Sequence, residues 1–245
     1  GFNINHECGA TEPGALQAAV LKHGADVGVA LDGDGDRLIM VDAKGELVDG
    51  DELVFIIARR RQQLGQLRGS VVGTQMSNLG LEQAIRTIGL GFERAKVGDR
   101  YILEKLRDGG WTLGGESSGH IICLDLTTTG DGIISALQVL EAMIGGEQSL
   151  HDLKSGMQKC PQTLVNVRME RKIDVMSLPD VQRAVTQAEA RLANSGRVLL
   201  RPSGTEPVIR VMVEGRDSAL VEEMANDIAR KVESAARVAI AEVAA

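Results

Sequence analysis

Short apolar runs alternate along the chain with longer stretches in which apolar residues recur every three or four positions. Short apolar runs are typical of strands, and the three- to four-residue spacing is typical of amphipathic helices. The pattern predicts strands at 27–31, 38–42, 70–73, 92–95 and 164–170, a hairpin around Glu116, and two strands flanking Arg201. It predicts helices at 13–23, 51–64, 79–88, 101–107, 131–144 and 178–193, and a final helix with core positions Val221, Met224, Ile228 and Val232.

The order of these elements predicts the domains and an α/β fold class. Between residues 50 and 158 strands and helices alternate, which is typical of a mixed, mostly parallel sheet with helices on both faces. The order of strands and helices in residues 159–245 predicts a smaller C-terminal α+β domain, and 156–163 is the predicted linker. Residues 1–49 contain one predicted buried strand, 27–31, before an acidic loop. Because one strand cannot form a parallel sheet, we expect 1–49 to complete a domain that starts earlier in a longer protein.

Composition excludes several functional classes. A length of 245 residues is enough for one large or two medium domains, and 2% aromatic residues predict an aliphatic core. The net charge of −7 argues against nucleic acid as a partner, because phosphate backbones require dense Lys and Arg. Cys8, Cys123 and Cys160 are isolated, as expected in a reducing cytosol and without a zinc site. The sequence shows neither a long apolar stretch nor a signal peptide, which predicts a soluble cytoplasmic protein without a membrane partner.

The strongest chemical signal is the stretch Asp32-Gly-Asp-Gly-Asp-Arg37, which follows the predicted strand 27–31. In a straight strand the first and third Asp Cα atoms would lie about 13 Å apart, but the two glycines let the backbone curl. Three converging carboxylates repel one another, and Mg²⁺ suits an all-oxygen site of this size. A calcium loop of the EF-hand type is excluded, because positions 6 and 12 of that loop hold Arg37 and Ala43 here. A solvated acidic turn remains the alternative.

Two further polar segments lie between predicted strands. The stretch 201–207, Arg-Pro-Ser-Gly-Thr-Glu-Pro, offers a guanidinium, hydroxyl groups and backbone N–H groups to a phosphate. Arg210 supplies a second guanidinium if its strand face points to the loop. The stretch 114–120, Gly-Gly-Glu-Ser-Ser-Gly-His, offers a carboxylate and hydroxyl groups to a sugar. An ordinary turn and a polar hairpin remain the respective alternatives. His120 fits a structural hydrogen bond as well as a place in the site.

Four motifs in this order carry a resemblance to a known family: 32–37, the Lys-Val-Gly-Asp-Arg stretch 96–100, 115–120 and 201–207. From residue 5 to about 215 the chain resembles the α-D-phosphohexomutase superfamily, and its glucosamine-phosphate branch more than its mannose or glucose branches. The resemblance implies four domains around a cleft, the first three α/β. It implies interconversion of glucosamine 6-phosphate and glucosamine 1-phosphate by Mg²⁺-dependent transfer through a phosphoserine and a 1,6-bisphosphate intermediate. The product would serve UDP-N-acetylglucosamine and cell-wall precursor synthesis.

The resemblance also implies roles for individual residues. Mg²⁺ would be held by Asp32, Asp34 and Asp36. The catalytic set would comprise Arg37, which orients the phosphoryl group, and Lys96 and Arg100, which line the cleft. Among these residues and Asp99 no general base is assigned, and Asp99 could equally cap the following helix. The phosphosugar substrate would contact Glu116, Ser118, Arg201, Ser203, Gly204, Thr205 and Arg210.

Two departures from the family pattern leave alternatives open. No Ser-His-Asn-Pro-like stretch, which would carry the phosphoserine, occurs in the sequence. We therefore expect this chain alone to be inactive, and an inert metal- or phosphosugar-binding module remains an alternative. Ser117 stands where the resemblance leads us to expect Gln, so phosphomannomutase or phosphoglucomutase activity also remains open. The sequence does not determine the oligomeric state, and a homodimer is one open arrangement.

Overall fold

The computed structural model describes residues 2–170, 174–203 and 206–244, without the side chains of 194 and 239–244. The chain divides into two compact units, Gly1–Gln158 and Lys159–Ala245. Each unit has its own hydrophobic core.

The first unit contains six helices and seven strands among its described residues. The helices are α1 (Gly14–His23), α2 (Gly50–Gln63), α3 (Leu79–Thr87), α4 (Asp99–Gly109), α5 (Gly132–Gly146) and α6 (Leu150–Lys154). The strands are β1 (Val27–Leu31), β2 (Leu38–Asp42), β3 (Leu47–Val48), β4 (Val71–Thr74), β5 (Phe92–Ala95), β6 (Leu113–Gly115) and β7 (Ile121–Cys123). The predicted fold class is confirmed, and β3 and α6 were not predicted.

The strands of the first unit form two sheets. In the four-stranded sheet, ordered β5-β4-β6-β7, β4 runs parallel to β5 and β6, and β7 closes the edge as the antiparallel half of a hairpin. The parallel character of the fold is confined to this sheet. Strands β1, β2 and β3 form a separate antiparallel sheet in that order.

The expectation that strand 27–31 is buried was wrong. Strand β1 is an edge strand whose residues alternate between buried and more exposed positions, and Val29 keeps 41% of its surface exposed. The physical reason is the antiparallel pairing, because an antiparallel edge strand packs one face on the core and can leave the other in solvent.

Helix α2 lies at the centre of the larger core of the first unit. It starts with a capping box, in which the Asp49 side chain accepts from the backbone of Glu52 and the Glu52 side chain accepts from the backbone of Asp49. Nine consecutive residues from Gly50 to Ala58 are buried, because α3, α5, α6 and β6 surround the helix. A second cluster, which includes Ile102 and Leu106, packs α4 on the sheet.

The second unit is a three-stranded antiparallel sheet covered by two helices. Its elements are β8 (Gln162–Arg168), α7 (Pro179–Leu192), β9 (Gly196–Pro202), β10 (Val208–Gly215) and α8 (Ser218–Ala244), with 3₁₀ turns at Val175–Ser177 and Ala193–Ser195. The strand order is β8-β10-β9, so β10 is central. The predicted core positions of the last helix are confirmed as buried: Val221, Met224, Ile228 and Val232.

The segment that links the two units is shorter than predicted. The predicted linker, 156–163, extends too far, because β8 already begins at Gln162. Pairing of Gln162 with Glu214 and of Thr163 with Val213 on β10 extends this strand back beyond the predicted start. In the part of the chain that the structure describes, no helix combines the length and the apolar character needed to cross a bilayer.

Candidate active site

The acidic loop, residues 32–37, connects β1 to β2. Its aspartates Asp32, Asp34 and Asp36 each bring one carboxylate oxygen within 4.8 Å of the others. The backbone N–H of Gly35 donates to the carbonyl of Asp32 over 3.2 Å, and Gly35 has φ of +75°, which glycine adopts readily. Two oxygens bound to one Mg²⁺ lie at most about 4.2 Å apart, so small side-chain rotations suffice to form a site. The predicted convergence is confirmed, and the donor set fits a hard divalent cation.

Arg37 lies at the end of the acidic loop and contacts its first aspartate. The Asp32 carboxylate accepts the backbone N–H of Arg37 at 3.1 Å, and the Arg37 Nε lies 3.7 Å from the other oxygen. The Asp32 side chain is 8% exposed, whereas the Arg37 side chain is 44% exposed. Arg37 therefore constrains Asp32 while its guanidinium stays accessible to a ligand.

The polar hairpin, residues 116–119 between β6 and β7, packs against the end of the acidic loop. The backbone N–H of Leu38 donates to the carbonyl of Gly119 at 3.0 Å, and Arg37 and His120 form an isolated antiparallel bridge. Gly119 has φ of +93°, and a Cβ there would lie 2.1 Å from the Leu38 carbonyl oxygen. His120 Nδ1 lies 3.1 Å from the Asp36 carboxylate. The two segments therefore form one continuous structure.

The start of α2 fixes the hairpin from the other side. The backbone N–H of Gly50 donates to the carbonyl of Ser117 at 3.2 Å, and a Cβ on Gly50 would lie 2.0 Å from the Glu116 carbonyl oxygen. The Glu116 carboxylate accepts the backbone N–H of Gly98 at 2.9 Å. Ser118 is exposed at the tip. A third predicted motif, 96–100, is thereby tied to the first two.

The two cations of the 96–100 segment lie at its surface. Lys96 Nζ is 5.6 Å and Arg100 Cζ is 5.8 Å from the centre of the Tyr101 ring, so both have a cation–π contact. Both residues are exposed and available to an anionic ligand. The alternative role of Asp99 as a helix cap was wrong, because Gly98 is the N-cap of α4 and Asp99 is its first residue.

The fourth motif belongs to the second unit. Arg201 on β9 pairs directly with Arg210 on β10, so both side chains are on one face of the sheet. In the described part of the chain, neither guanidinium has an ion pair. The Ser203 hydroxyl accepts the backbone N–H of Glu206 at 3.3 Å. The predicted ligands Gly204 and Thr205 lie outside the described residues.

A second group of potential cation ligands is already occupied by a lysine. Asp42, Glu46 and His151 bring ligand atoms within 4.8 Å of one another. The Lys154 ammonium lies 2.9 Å from the Asp42 carboxylate and 2.7 Å from that of Glu46, and His151 Nδ1 lies 3.0 Å from Asp42. We call this group the α6 clamp, because it ties α6 to the β2–β3 turn.

Cys123, at the end of β7, is the cysteine nearest to the polar hairpin in sequence. Burial raises the pKa of its thiol to about 11, so the thiol stays protonated at neutral pH. A protonated buried thiol is a poor nucleophile.

Two contacts that build the site were not predicted from the sequence. The sequence left open whether His120 has a structural role or belongs to the site, and in the structure its Nδ1 contacts the Asp36 carboxylate. The hydrogen bond from the backbone N–H of Gly98 to the Glu116 carboxylate was not predicted either. Both contacts depend on the pairing of distant segments, for which the local pattern of residues carries no signal.

Family models match both units. Residues 49–160 match phosphoglucomutase/phosphomannomutase alpha/beta/alpha domain III. Residues 164–231 match the phosphoglucomutase/phosphomannomutase C-terminal domain. Together these two segments cover most of the chain.

Curated relatives are similar over nearly the whole chain. The phosphoglucosamine mutase of Methylococcus capsulatus is 61% identical over 95% of this chain and 52% of its own length. That of Alkalilimnicola ehrlichii is 62% identical over 96% of this chain and 52% of its own length. The chain thus spans about half the length of the curated relatives it matches.

Solved structures share the fold at lower identity. The N-acetylphosphoglucosamine mutase of Aspergillus fumigatus in complex with GlcNAc-6P and magnesium aligns with a TM-score of 0.73 at 22% identity, over 93% of this chain and 57% of that one. A phosphoglucomutase/phosphomannomutase family protein from Burkholderia thailandensis aligns with a TM-score of 0.71 at 22% identity, over 92% and 50%. At such identities the likeness concerns the fold.

Proposed function

The chain belongs to the phosphoglucomutase/phosphomannomutase family, and we propose that it supplies the metal-, sugar- and phosphate-binding segments of a phosphoglucosamine mutase. The whole protein would interconvert glucosamine 6-phosphate and glucosamine 1-phosphate. The high identity to relatives of that name favours the glucosamine branch. The same names support an isomerase that transfers a phosphoryl group within its substrate.

The acidic loop would hold the cation. Asp32, Asp34 and Asp36 converge, and carboxylate oxygens are the ligands that Mg²⁺ prefers. When bound, Mg²⁺ supplies a Lewis acid that offsets negative charge on the transferring phosphoryl group. The Aspergillus fumigatus enzyme, which shares this fold and was solved with magnesium, supports the proposal of a metal site. Arg37, anchored beside Asp32 but accessible, would orient the phosphoryl oxygens through its guanidinium.

The polar hairpin would hold the sugar. Ser118 is exposed at its tip, and Glu116 is held in place by its bond from Gly98. These groups can accept or donate hydrogen bonds to hydroxyl groups without forming covalent bonds. Lys96 and Arg100 would place positive charge near the phosphosugar, where opposite charge lowers the energy of the bound anion.

The second unit would bind the phosphate that is not being transferred. Two guanidinium groups on opposite strand positions repel each other unless an anion lies between them. Ser203, with Gly204 and Thr205 by resemblance, would add hydroxyl and backbone donors. One phosphate site of this kind would serve both orientations of a 1,6-bisphosphate.

The observation that carries the proposal is the joining of three motifs in one unit. Asp36 contacts His120, and Glu116 contacts Gly98. The acidic loop, the polar hairpin and the cationic segment 96–100 are therefore joined by direct hydrogen bonds. An isolated solvated acidic turn, the alternative for 32–37, would not need backbone pairing to the polar hairpin.

A coupled assay with glucosamine 6-phosphate and a 1,6-bisphosphate primer tests the activity. We expect turnover by the full-length protein and none by the 245-residue chain, because the chain contains no Ser-His-Asn-Pro-like stretch. Turnover by the pure chain would contradict the phosphoserine mechanism, and its absence in the full-length protein would contradict the activity. Glucose 1-phosphate and mannose 1-phosphate, compared by kcat/KM, decide between the sugar branches that Ser117 leaves open.

Calorimetry with Mg²⁺ tests the metal assignment on the chain itself. We expect weak binding, with a dissociation constant above about 1 μM, because the resemblance assigns one ligand to a phosphoserine outside this sequence. Asp34→Asn should abolish the binding. Asp26→Asn, a change at an exposed aspartate before β1, is the matched control and should leave it unchanged. Sub-micromolar affinity, or binding that survives Asp34→Asn, would contradict the assignment.

A further inference from the structure

His120 is a buried histidine whose side chain reaches the acidic loop from the polar hairpin. It is 4% exposed, and its Nδ1 lies 3.1 Å from Oδ2 of Asp36. We infer that His120 is a positioning residue for the cation site: it holds the third aspartate in the orientation in which the three carboxylates converge. This inference rests on the proposed function, because it assumes that the acidic loop binds a cation.

The chemistry of the contact determines which atom carries the hydrogen. A carboxylate offers acceptors and no donor, so the Nδ1 of His120 must donate to Asp36. Among the described residues, Nε2 of His120 has no hydrogen-bond partner. The imidazole therefore has one polar contact, and that contact is with a predicted metal ligand. Buried groups that hydrogen-bond a ligating carboxylate orient it for the metal.

The position of the ring is set by its surroundings. A Cβ added to Gly130 would lie 2.3 Å from Nε2 and 2.4 Å from Cε1 of His120, so the ring packs flush on the glycine. The backbone bridge between Arg37 and His120 fixes the distance between the acidic loop and the ring. His120 cannot move away from Asp36 without disturbing one of these two contacts.

The three aspartates are constrained to different degrees. Asp32 is held by Arg37, and Asp36 is held by His120 while its side chain stays 35% exposed. In the part of the chain that is described, Asp34 is exposed and shows no hydrogen bond from its side chain. Without His120, two of the three carboxylates would be free to turn toward solvent and relieve their mutual repulsion. A cation would then have to reorder both.

Binding of Mn²⁺, followed by electron paramagnetic resonance on the 245-residue chain, tests this inference. His120→Leu fills the space without a donor, and we expect it to weaken Mn²⁺ binding about ten- to a hundredfold. His120→Asn places an amide N–H near the position of Nδ1, and we expect binding within about threefold of the wild type. Circular dichroism and melting temperature establish that each variant is folded.

Gly130→Ala is an independent variant that keeps the imidazole but displaces it. We expect weaker Mn²⁺ binding, because the added methyl group must push the ring away from its place. Gly14→Ala is the matched control, since a Cβ there meets nothing within 4 Å, and its binding should equal that of the wild type.

The outcomes separate this inference from the proposed function. Wild-type affinity in folded His120→Leu, or equal losses in the Leu and Asn variants, would overturn the positioning role and leave the metal assignment intact. Absence of Mn²⁺ binding to the wild-type chain would overturn both. If His120→Leu does not fold, the ¹⁵N ring resonances of wild-type His120 decide. A proton on Nδ1 and a shift on adding Mg²⁺ support the role, and an unchanged spectrum overturns it.

Discussion

The pairing of Arg201 with Arg210 places two like charges opposite each other on neighbouring strands. Directly opposed like charges destabilise a sheet, yet in the described residues neither side chain has an acidic partner. The arrangement makes structural sense when an anion binds between them, because each charge-assisted hydrogen bond contributes about 1.5–3 kcal/mol.

Arg210→Ala in the full-length protein should therefore raise KM for the phosphosugar by about ten- to a hundredfold. The melting temperature should change little, since the arginine has no ion pair to lose among the described residues. Steady-state kinetics and thermal melts measure the two effects. Arg230→Ala, at an exposed helix position, is the control and should leave KM unchanged. A stable Arg210→Ala variant with wild-type KM would remove Arg210 from the site.

At the scale of elements, α6 is held by charge as well as by apolar packing. Leu150 and Leu153 of this five-residue helix are buried, and the α6 clamp joins its end to the β2–β3 turn. Asp42 is fully buried and also accepts from the backbone N–H groups of Lys44 and Glu46. A short helix gains little from its own hydrogen bonds, so these contacts matter for its position.

Lys154→Met should lower the free energy of unfolding of the first unit by about 1.5–3 kcal/mol. The methionine keeps the apolar stem but leaves a buried carboxylate with one charged donor fewer. Urea denaturation measures the loss. Lys105→Met is the matched control, because Lys105 pairs with Glu93 at the surface and should contribute less than about 1 kcal/mol. Equal effects of the two changes would show that the α6 clamp contributes no more than a surface pair.

The α6 clamp also predicts the pH dependence of stability. Burial alone would raise the pKa of Asp42, but the bonds from Lys154, the Glu46 backbone and His151 lower it below its ordinary value. Burial alone would lower the pKa of Lys154, but its bonds to Glu46 and Asp42 raise it. The Asp42 contribution is therefore present above about pH 3.9 and is lost as pH falls through the lowered value. The Lys154 contribution is full below about pH 10.4 and is lost as pH rises through the raised value.

Urea denaturation of the wild type and of Lys154→Met across this range tests the expectation. The difference in unfolding free energy should be largest near neutral pH and should shrink as pH falls below about 3.9 and through the lowered pKa of Asp42. The same series with Lys105→Met should show a small and nearly constant difference. A Lys154→Met difference that grows in acid would contradict the assignment of Asp42 as the charged partner.

Longer elements were predictable from the sequence, and short ones were not. Strands β1 and β2 occupy the predicted residues, because a run of apolar residues between polar turns marks a strand locally. Strand β3 has two residues and α6 has five, too few to establish a period. The edge position of β1 was missed because it depends on its partners, which local pattern does not reveal.

The same distinction applies to the candidate site. The convergence of Asp32, Asp34 and Asp36 followed from alternating glycines within six residues. The contact of His120 with Asp36 joins residues 84 positions apart and depends on the bridge between Arg37 and His120. The pairing of Arg201 with Arg210 needed the register of β9 and β10, which the sequence left open.

At the scale of the whole molecule, the two units have cores with no residue in common. Ile85 belongs to the core of the first unit and Ile209 to that of the second, and each is at most 1% exposed. Separate cores allow separate cooperative transitions, so a single two-state description need not apply to the chain.

Differential scanning calorimetry should resolve two transitions that respond to different substitutions. Ile209→Ala removes buried methyl groups from the second unit at a cost of about 2–5 kcal/mol. It should lower one melting temperature by about 8 °C or more and leave the other in place. Ile85→Ala should do the converse. A single transition that shifts with both variants would show that the units unfold together.

The close approaches at Gly50, Gly119 and Gly130 have a consequence for how this sequence tolerates change. At each position a methyl group would meet a neighbouring atom within 2.0–2.3 Å, although none of the three glycines offers a group that reacts with a ligand. A library of random substitutions screened for folded, cation-binding protein should therefore lose variants at these glycines as readily as at the aspartates. Drift among related sequences should be slow there and faster at exposed Asp26, where a new side chain meets solvent. Residues that have no side chain are therefore as necessary for the geometry of the site as the residues whose side chains would bind the ligand.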